Sequence, residues 1–355
     1  MVRPESSELV IRRFRKQHYF AIFNTRTGFF ARVEETGHSE PFWSRHGPEL
    51  LDIAITNWCD KGCAICYRDS GPAGKHMPLG NYERIMRLAY ETGVFQVALG
   101  GGNPNQHPDF CEILRLTRER YGIVPSYTTN GRGLTDEILR ASAKYCGAVA
   151  VSAYAPYEET KLAVQALRTH GIKTNIHFVL DSRSIETAIV WLENPPAFLD
   201  HVNAIVFLNY KPVGRCVDHG SLLKYSDQMS NFFELATSRK HKFKVGFDSC
   251  LVSGLVRFTN VPAICYDGCE AGRFSMFISE TMKMYPCSFM ESGYQGMPVE
   301  NDNMSKVWRT DELFVQVRDR LANGGCQGCK RATLCLGGCP VFGEINLCPG
   351  YDNNR

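Results

Sequence analysis

Between residues 51 and 208 short apolar, β-branched runs alternate with longer segments whose apolar positions recur every three to four residues. The first pattern suits a strand and the second an amphipathic helix packed on one face. Strands are predicted at Leu51 to Thr56, Gln96 to Leu99, Val124 to Thr128, Ala148 to Ser152, Lys173 to Val179 and Ala204 to Leu208. Helices are predicted at Tyr82 to Thr92, Pro108 to Arg120, Asp136 to Lys144, Glu158 to His170 and Ser184 to Leu192. Strand and helix in regular alternation is the pattern of βα units around a parallel sheet. Six such strands predict an α/β fold, a partial (β/α)6 barrel of the TIM type. Sites in that architecture gather at the C-terminal ends of the strands.

Ahead of this region, Tyr19 to Phe23 and Phe29 to Val33 bracket Asn24-Thr25-Arg26-Thr27-Gly28, which predicts a β-hairpin with a glycine-containing loop. The basic run Arg12, Arg13, Arg15, Lys16 reads as a solvated face of it. The predicted division is therefore an N-terminal hairpin or cap over residues 1–50, the barrel over 51–240 and a cysteine-rich unit over 241–355.

Composition narrows the class. At 355 residues, 44% of them hydrophobic and 22% charged, the chain can bury one large core and a smaller one. A net charge of +3 is too small to imply nucleic acid or a membrane surface. No apolar stretch approaches the ~20 residues of a membrane span, and the charged N-terminus lacks a signal-peptide core. A soluble, cytoplasmic protein is expected. Fifteen cysteines in a reducing compartment point to metal or redox chemistry rather than to disulfides.

Cys59, Cys63 and Cys66 follow the first barrel strand as C-x3-C-x2-C, with no further cysteine until Cys111. Structural zinc and fully ligated iron–sulfur clusters take four ligands. Three thiolates leave an open coordination position, unless a remote residue completes a zinc site or the thiols are simply buried. The spacing resembles the signature of the radical S-adenosylmethionine (SAM) superfamily, including the aromatic Tyr67 after the third cysteine. That resemblance implies a 4Fe-4S cluster whose unique iron chelates SAM, and reductive cleavage of SAM to methionine and a 5′-deoxyadenosyl radical that abstracts hydrogen from a substrate. Gly100-Gly101-Gly102-Asn103-Pro104 after the second strand resembles the superfamily's GGEP element, which contacts the SAM amino group, with Asn103 standing where glutamate is usual. Thr128-Thr129-Asn130-Gly131 resembles the polar turn near the ribose. By the same resemblance Ser152 would reach the ribose or the methionyl carboxylate, and the segment from Phe207 to Arg215 the adenine side. Asn175 and His177 on the fifth strand are further polar candidates.

Eight more cysteines, Cys265, Cys269, Cys287, Cys326, Cys329, Cys335, Cys339 and Cys348, lie in the last hundred residues or so. Alone, the CxxC-like pairs could hold zinc. Their order resembles the SPASM domain, which binds two auxiliary 4Fe-4S clusters and would bring the total to three. The resemblance implies Cys269, Cys287 and Cys339 for the first auxiliary cluster, with Cys265 as its fourth ligand, and Cys326, Cys329, Cys335 and Cys348 for the second. Two departures stand out: Met282 occupies the usual hairpin glycine, and Cys265 precedes Cys269 by only four residues. Of the rest, Cys111 and Cys146 read as core, Cys250 has no assigned role, and Cys216 follows Gly214-Arg215 near the barrel mouth, where a thiol could return hydrogen to a substrate radical as in radical epimerases.

SPASM enzymes mostly act on peptides, so the resemblance implies oxidation or cross-linking of a ribosomally made peptide, with an external electron donor such as flavodoxin or ferredoxin. Fewer than fifty residues precede the barrel, too few for a winged-helix leader-binding domain, so a separate leader-binding protein, a short substrate or a non-ribosomal substrate is expected. The alternatives are a sulfatase-maturase type, a small-molecule dehydrogenase or epimerase, and, in a different class, a non-catalytic iron–sulfur electron-transfer or zinc-binding protein. Asp248, Tyr210, Lys211 and His177 are candidates for the acid or base, and no spacing singles one out.

Overall fold

The computed structural model describes residues 8–238, 240–324 and 329–348, so that Cys326 lies outside the described residues. Strands β1 (Leu9–Phe14), β2 (Tyr19–Asn24) and β3 (Phe30–Glu34) form an antiparallel sheet in chain order. The predicted hairpin is β2–β3. Strand β1 joins it because Leu9, Ile11 and Arg13 alternate with half-buried Val10, Arg12 and Phe14, so Arg12 and Arg13 take opposite faces of an edge strand while Arg15 and Lys16 lie in the turn that follows.

The six predicted barrel strands are present as β4 (Leu50–Thr56), β5 (Gln96–Gly101), β6 (Val124–Thr129), β7 (Val149–Ser152), β8 (Thr174–Leu180) and β9 (Ala204–Asn209). A seventh parallel strand, β10 (Lys244–Phe247), pairs with β9. Its four residues, one of them Gly246, carry too little periodicity to be recognised in sequence. At the other edge β11 (Ser275–Ile278) pairs parallel with β4 and leads by a tight turn into antiparallel β12 (Lys283–Tyr285) and β13 (Met297–Pro298). The whole forms one ten-stranded sheet in the order β10-β9-β8-β7-β6-β5-β4-β11-β12-β13. Met282, in the glycine position of the β11–β12 turn, adopts the left-handed φ of 61° that the turn requires, so the hairpin forms despite the substitution.

Helices α1 (Leu79–Thr92), α2 (Phe110–Arg115), α3 (Asp136–Tyr145), α4 (Glu158–Thr169), α5 (Ile185–Glu193) and α6 (Asp227–Ser238) cover the outer face. The longer helix predicted to Arg120 widens to a π-helix over Leu116–Arg120, where the Thr117 hydroxyl donates to the Ile113 carbonyl at 2.7 Å. Side chains alternate throughout β8 and β9, and along β4 up to the irregularity at Ala54 to Thr56. Ile53, Ile176, Phe178 and Ile205 point outward into the helix-covered core. Asp52, Ala98 and Ser126 share one register row of the inner face, and Ser152, His177 and Val206 another. These residues are small or polar, so the lumen is lined rather than filled, unlike the packed interior of a closed barrel.

The N-terminal sheet sits at the opposite end from the strand termini that matter. Buried Tyr19, Ala21 and Phe23 of β2 pack with Phe95 and Val124, which stand at the entrances to β5 and β6. Phe95 meets Phe23 and Phe30 edge-on, at centroid separations of 5.9 and 5.4 Å. Lys173, just before β8, donates to the Thr27 carbonyl at 2.8 Å. The sheet therefore floors the barrel and leaves the C-terminal mouth clear of itself. No helix among the described residues is long and apolar enough to cross a membrane.

Candidate active site

The loop Asn57–Lys75, which leaves β4 at the barrel mouth, carries Cys59, Cys63 and Cys66, all thiols and all half-buried. It is anchored at its base by the pair Asn57 N–H to Lys75 carbonyl at 2.8 Å, and then gripped from every side. Gln106 donates to Asp60 at 3.1 Å. Arg132 donates to the Asp60 carbonyl at 3.0 Å and to Glu159 of α4 at 2.8 Å, and Glu159 also pairs with Lys61. Arg215 holds the Cys63 carbonyl at 2.8 Å and Asp69 at 2.8 Å, and reaches the Ser70 carbonyl. Arg68, almost wholly buried, pairs with Glu280 in the β11–β12 turn and with Glu291.

The glycine element after β5 serves this loop directly. Gly101, at φ 109°, and Gly102 lie so close to it that a methyl group on either would meet the Thr56 or Trp58 carbonyl oxygen at 2.0 Å. The Gly102 and Asn103 amides donate to those same carbonyls, at 2.8 and 2.9 Å. Pro104 is buried and starts a short turn through Gln106. Asn103 is fully buried: its side-chain amine donates to Gln106 at 2.7 Å and the Arg132 carbonyl at 3.1 Å, and its carbonyl accepts from the Thr129 hydroxyl and the Asn130 amide at 3.1 Å each. Asn130 in turn donates to the Cys59 sulfur at 3.5 Å and to Asp60 at 3.4 Å. Gly101, Gly102, Asn103 and Asn130 thus form one hydrogen-bonded frame that ends on a cysteine.

Other sequence-derived candidates divide. Ser152 faces the lumen beside His177 in register. Tyr67 stacks obliquely on Phe289 with ring centroids 4.8 Å apart. Phe207 is turned the wrong way for a ligand contact: it is completely buried between β9 and α6, against Phe178, Phe232 and Phe247. Period-two alternation instead presents Val206 and Leu208 to the lumen. Cys216 is exposed, one residue beyond the Arg215 clamp. Cys329, Cys335 and Cys348 line one cavity of about 100 Å³. Cys269 and Cys339 are buried, and Cys287 packs in the same cluster as Cys269. Cys265 is exposed, whereas Cys250, whose position gave no signal, lies near enough to Cys339 for the two thiols to influence each other.

Asp52 is a functional candidate that periodicity alone would have passed over as part of a strand. It stands in the lumen wall, and burial, with Glu270 nearby, pushes its carboxyl from the ordinary 3.8 up to about 6. Burial likewise pushes His177 down to about 4, so its imidazole is neutral at physiological pH. A carboxyl whose folded pKa is raised contributes stability that is complete below its unfolded pKa and lost as pH rises through the folded one. Asp52→Asn is therefore expected to stabilise the protein at pH 8 by up to about 3 kcal/mol and to leave pH 4 stability unchanged, read from urea unfolding at both pH values. Equal effects at the two pH values would contradict the assignment.

The donor set of the thiol loop fits an iron–sulfur cluster in its chemistry, although among the described residues no three metal-binding side chains converge as a preformed site. Cys59 and Cys66 already receive N–H donors at sulfur, from Asn130 at 3.5 Å and from the Ser70 amide at 3.4 Å, as cluster thiolates commonly do. Burial, and then the proximity of Cys66 and Cys59, push the Cys63 thiol up, a cost that cationic iron removes. A lined rather than filled parallel barrel presents three clamped thiols at its mouth, after its first strand. The sequence profile of the Radical SAM superfamily matches residues 53–180. Over that stretch the chain carries a radical SAM domain, and the similarities that follow support a radical SAM enzyme of the SPASM type. It is similar to the mycofactocin maturase MftC of Mycobacterium tuberculosis, 23% identical over 82% of this chain and 78% of that one, and to the PqqA peptide cyclase of Granulibacter bethesdensis, 24% identical over 82% of each. Among solved structures it resembles SuiB of Streptococcus suis bound to its precursor peptide SuiA, with a TM-score of 0.72 at 17% identity over 94% of each chain.

Proposed function

We propose that this enzyme matures a ribosomally made peptide by oxidising or cross-linking it. The observation that carries the reading is the open mouth: the N-terminal sheet floors the barrel, and a cleft of about 430 Å³ lies between the thiol loop, the β9 loop and the β12 side, lined by Tyr67, Asp69, Gly214, Val217, Phe289 and Glu291. Such a cleft admits an extended chain beside the thiols. The relatives named as peptide maturases and cyclases over four-fifths of this chain support the same class.

Cys59, Cys63 and Cys66 would hold the SAM-binding 4Fe-4S cluster, which when bound supplies the electron that cleaves SAM, so that the deoxyadenosyl radical abstracts hydrogen from the peptide. Tyr67, Ser152 and the frame of Gly101, Gly102, Asn103, Pro104 and Asn130 would position SAM against that site. Two auxiliary 4Fe-4S clusters would accept the substrate electron. The second is held by Cys329, Cys335, Cys348 and Cys326, of which the first three share one cavity and Cys326 lies outside the described residues. The first uses Cys269, Cys287 and Cys339. A flavodoxin or ferredoxin supplies electrons, a separate protein presents the peptide leader, and the reducing cytoplasm keeps the thiols available. Residues 51–240 form the catalytic unit and 241–355 the auxiliary unit, joined through β10 and β11, which extend the barrel sheet on both edges.

Anaerobic reconstitution, iron counting and reduction with SAM test this reading. About twelve irons per chain and release of 5′-deoxyadenosine are expected, with a precursor peptide losing two hydrogen atoms on incubation. A loaded enzyme that cleaves SAM but leaves every genomically adjacent short peptide unchanged in mass would remove the peptide reading. Cys216→Ala is expected to leave product amount and stereochemistry unchanged, because the exposed thiol lies outside the clamp. Loss of product with deoxyadenosine still released would instead move the chemistry to an epimerase with Cys216 as hydrogen donor.

A further inference from the structure

The parallel sheet is an open barrel with two edges, β10 on one side and β4 with its partner β11 on the other. Cys269 precedes β11 and Cys287 follows β12, so both belong to the β4 edge. Cys250 belongs to the other edge: it follows β10 on the short turn Ser249–Leu251. Cys339 comes from the C-terminal segment. The segment is stapled to the β10 end by Asn209, whose side-chain amine donates to the Cys250 carbonyl at 3.3 Å and the Ile345 carbonyl at 3.0 Å. Asn346 receives the Cys339 amide at 2.8 Å and fixes that cysteine's direction. The Cys250 and Cys339 side chains lie close enough to influence each other, and Cys250 lies within electrostatic range of both Cys269 and Cys287.

An independent observation marks the same spot as a place for negative charge. The Lys211 ammonium is buried there, paired with Asp248, and both Cys250 and Cys339 lie within its electrostatic reach. Asp248 balances this cation, and the same positive charge favours the thiolate form of Cys250, the form that binds iron. Cys265 has none of these relations. It ends an exposed turn, Ala263–Cys265, beside Ile264, which is 95% exposed, on the rim of a pocket that also takes in Asp248, Ser249, Gly268 and Glu270.

We propose that Cys250, and not Cys265, is the fourth thiolate of the first auxiliary cluster, completing the set Cys269, Cys287 and Cys339. The assignment rests on the auxiliary-cluster reading above. It also gives the cluster a mechanical role: with ligands from both edges of the open sheet it ties the barrel shut at its seam, so that metal binding and barrel closure are coupled.

The test uses the full chain carrying Cys59→Ala, Cys63→Ala and Cys66→Ala, which leaves only auxiliary clusters. This parent should hold about eight irons after anaerobic reconstitution. Adding Cys250→Ser should take iron toward half that value, or change one of the two cluster signals in electron paramagnetic resonance, while Cys265→Ser should leave both iron and spectrum unchanged. Cys250→Ser with full iron and unchanged signals overturns the proposal, and a parent that binds no iron removes the auxiliary-cluster reading together with it. In case Cys250→Ser fails to fold, the unsubstituted, loaded protein is alkylated with iodoacetamide and digested for mass spectrometry. Cys265 should be labelled and Cys250 protected, and a protected Cys265 would overturn the assignment.

Discussion

Replacing Cys59, Cys63 or Cys66 singly by alanine is expected to reduce 5′-deoxyadenosine release to the level of a control without enzyme. Iron content should fall by about four per chain, the content of one 4Fe-4S cluster. The loop should survive the change, because its clamps are not built from the thiols. Glu159, Arg132, Gln106 and Arg215 hold its backbone and its charged side chains from four different elements, and the loop's own Arg68 reaches Glu280 and Glu291. Circular dichroism should therefore be unchanged while chemistry is lost, which separates a ligand role from a folding role. Retention of deoxyadenosine release by any of the three variants would remove that cysteine from the cluster.

Gly102→Ala is the second large effect, and it acts through sterics alone. The new methyl group would meet the Trp58 carbonyl oxygen at 2.0 Å and its carbon at 2.6 Å. Neither atom can yield without moving the first turn of the thiol loop, since the Asn103 amide is bonded to that same oxygen at 2.9 Å. The expected result is a soluble protein destabilised by about 1–3 kcal/mol, as for other overpacking substitutions, with iron lowered by about one cluster and SAM cleavage down by at least about a hundredfold, a loss that needs only ~2.7 kcal/mol at the transition state. Gly80→Ala on α1 is the control: its new methyl group would meet nothing within 4 Å. Full iron loading and full activity in Gly102→Ala would show that the close approach does not position the cysteines.

Much of this site was legible along the chain because its chemistry is local in sequence. C-x3-C-x2-C places three thiols on one short loop whatever surrounds them. The six strands announced themselves through β-branched runs, and the site residues through their position just after those runs. What failed was directional or non-local. Phe207 stands next to lumen-facing positions in sequence, yet period-two geometry sends it to the helix side. Asn103 was expected to reach toward SAM, and in the fold its donors and acceptor hold Gln106, Arg132, Thr129 and Asn130. Strand β10 was too short to show a period. The hairpin turn at Met282 forms because one residue's left-handed strain is small beside the pairing of β11 and β12.

The sequence by itself determined the α/β class, the order of its strands, the three-thiol loop and the cysteine-rich C-terminal region, because each is a matter of period or spacing over a few residues. Only the tertiary structure decided that the N-terminal sheet floors the barrel instead of covering its mouth, that glycine and asparagine side by side lock the thiol loop to the rim, and that Cys250 meets Cys339 while Cys265 stays in solvent. Those outcomes turn on which faces pack together between segments far apart in sequence, and the energies that select them are spread over long-range contacts that no local pattern encodes.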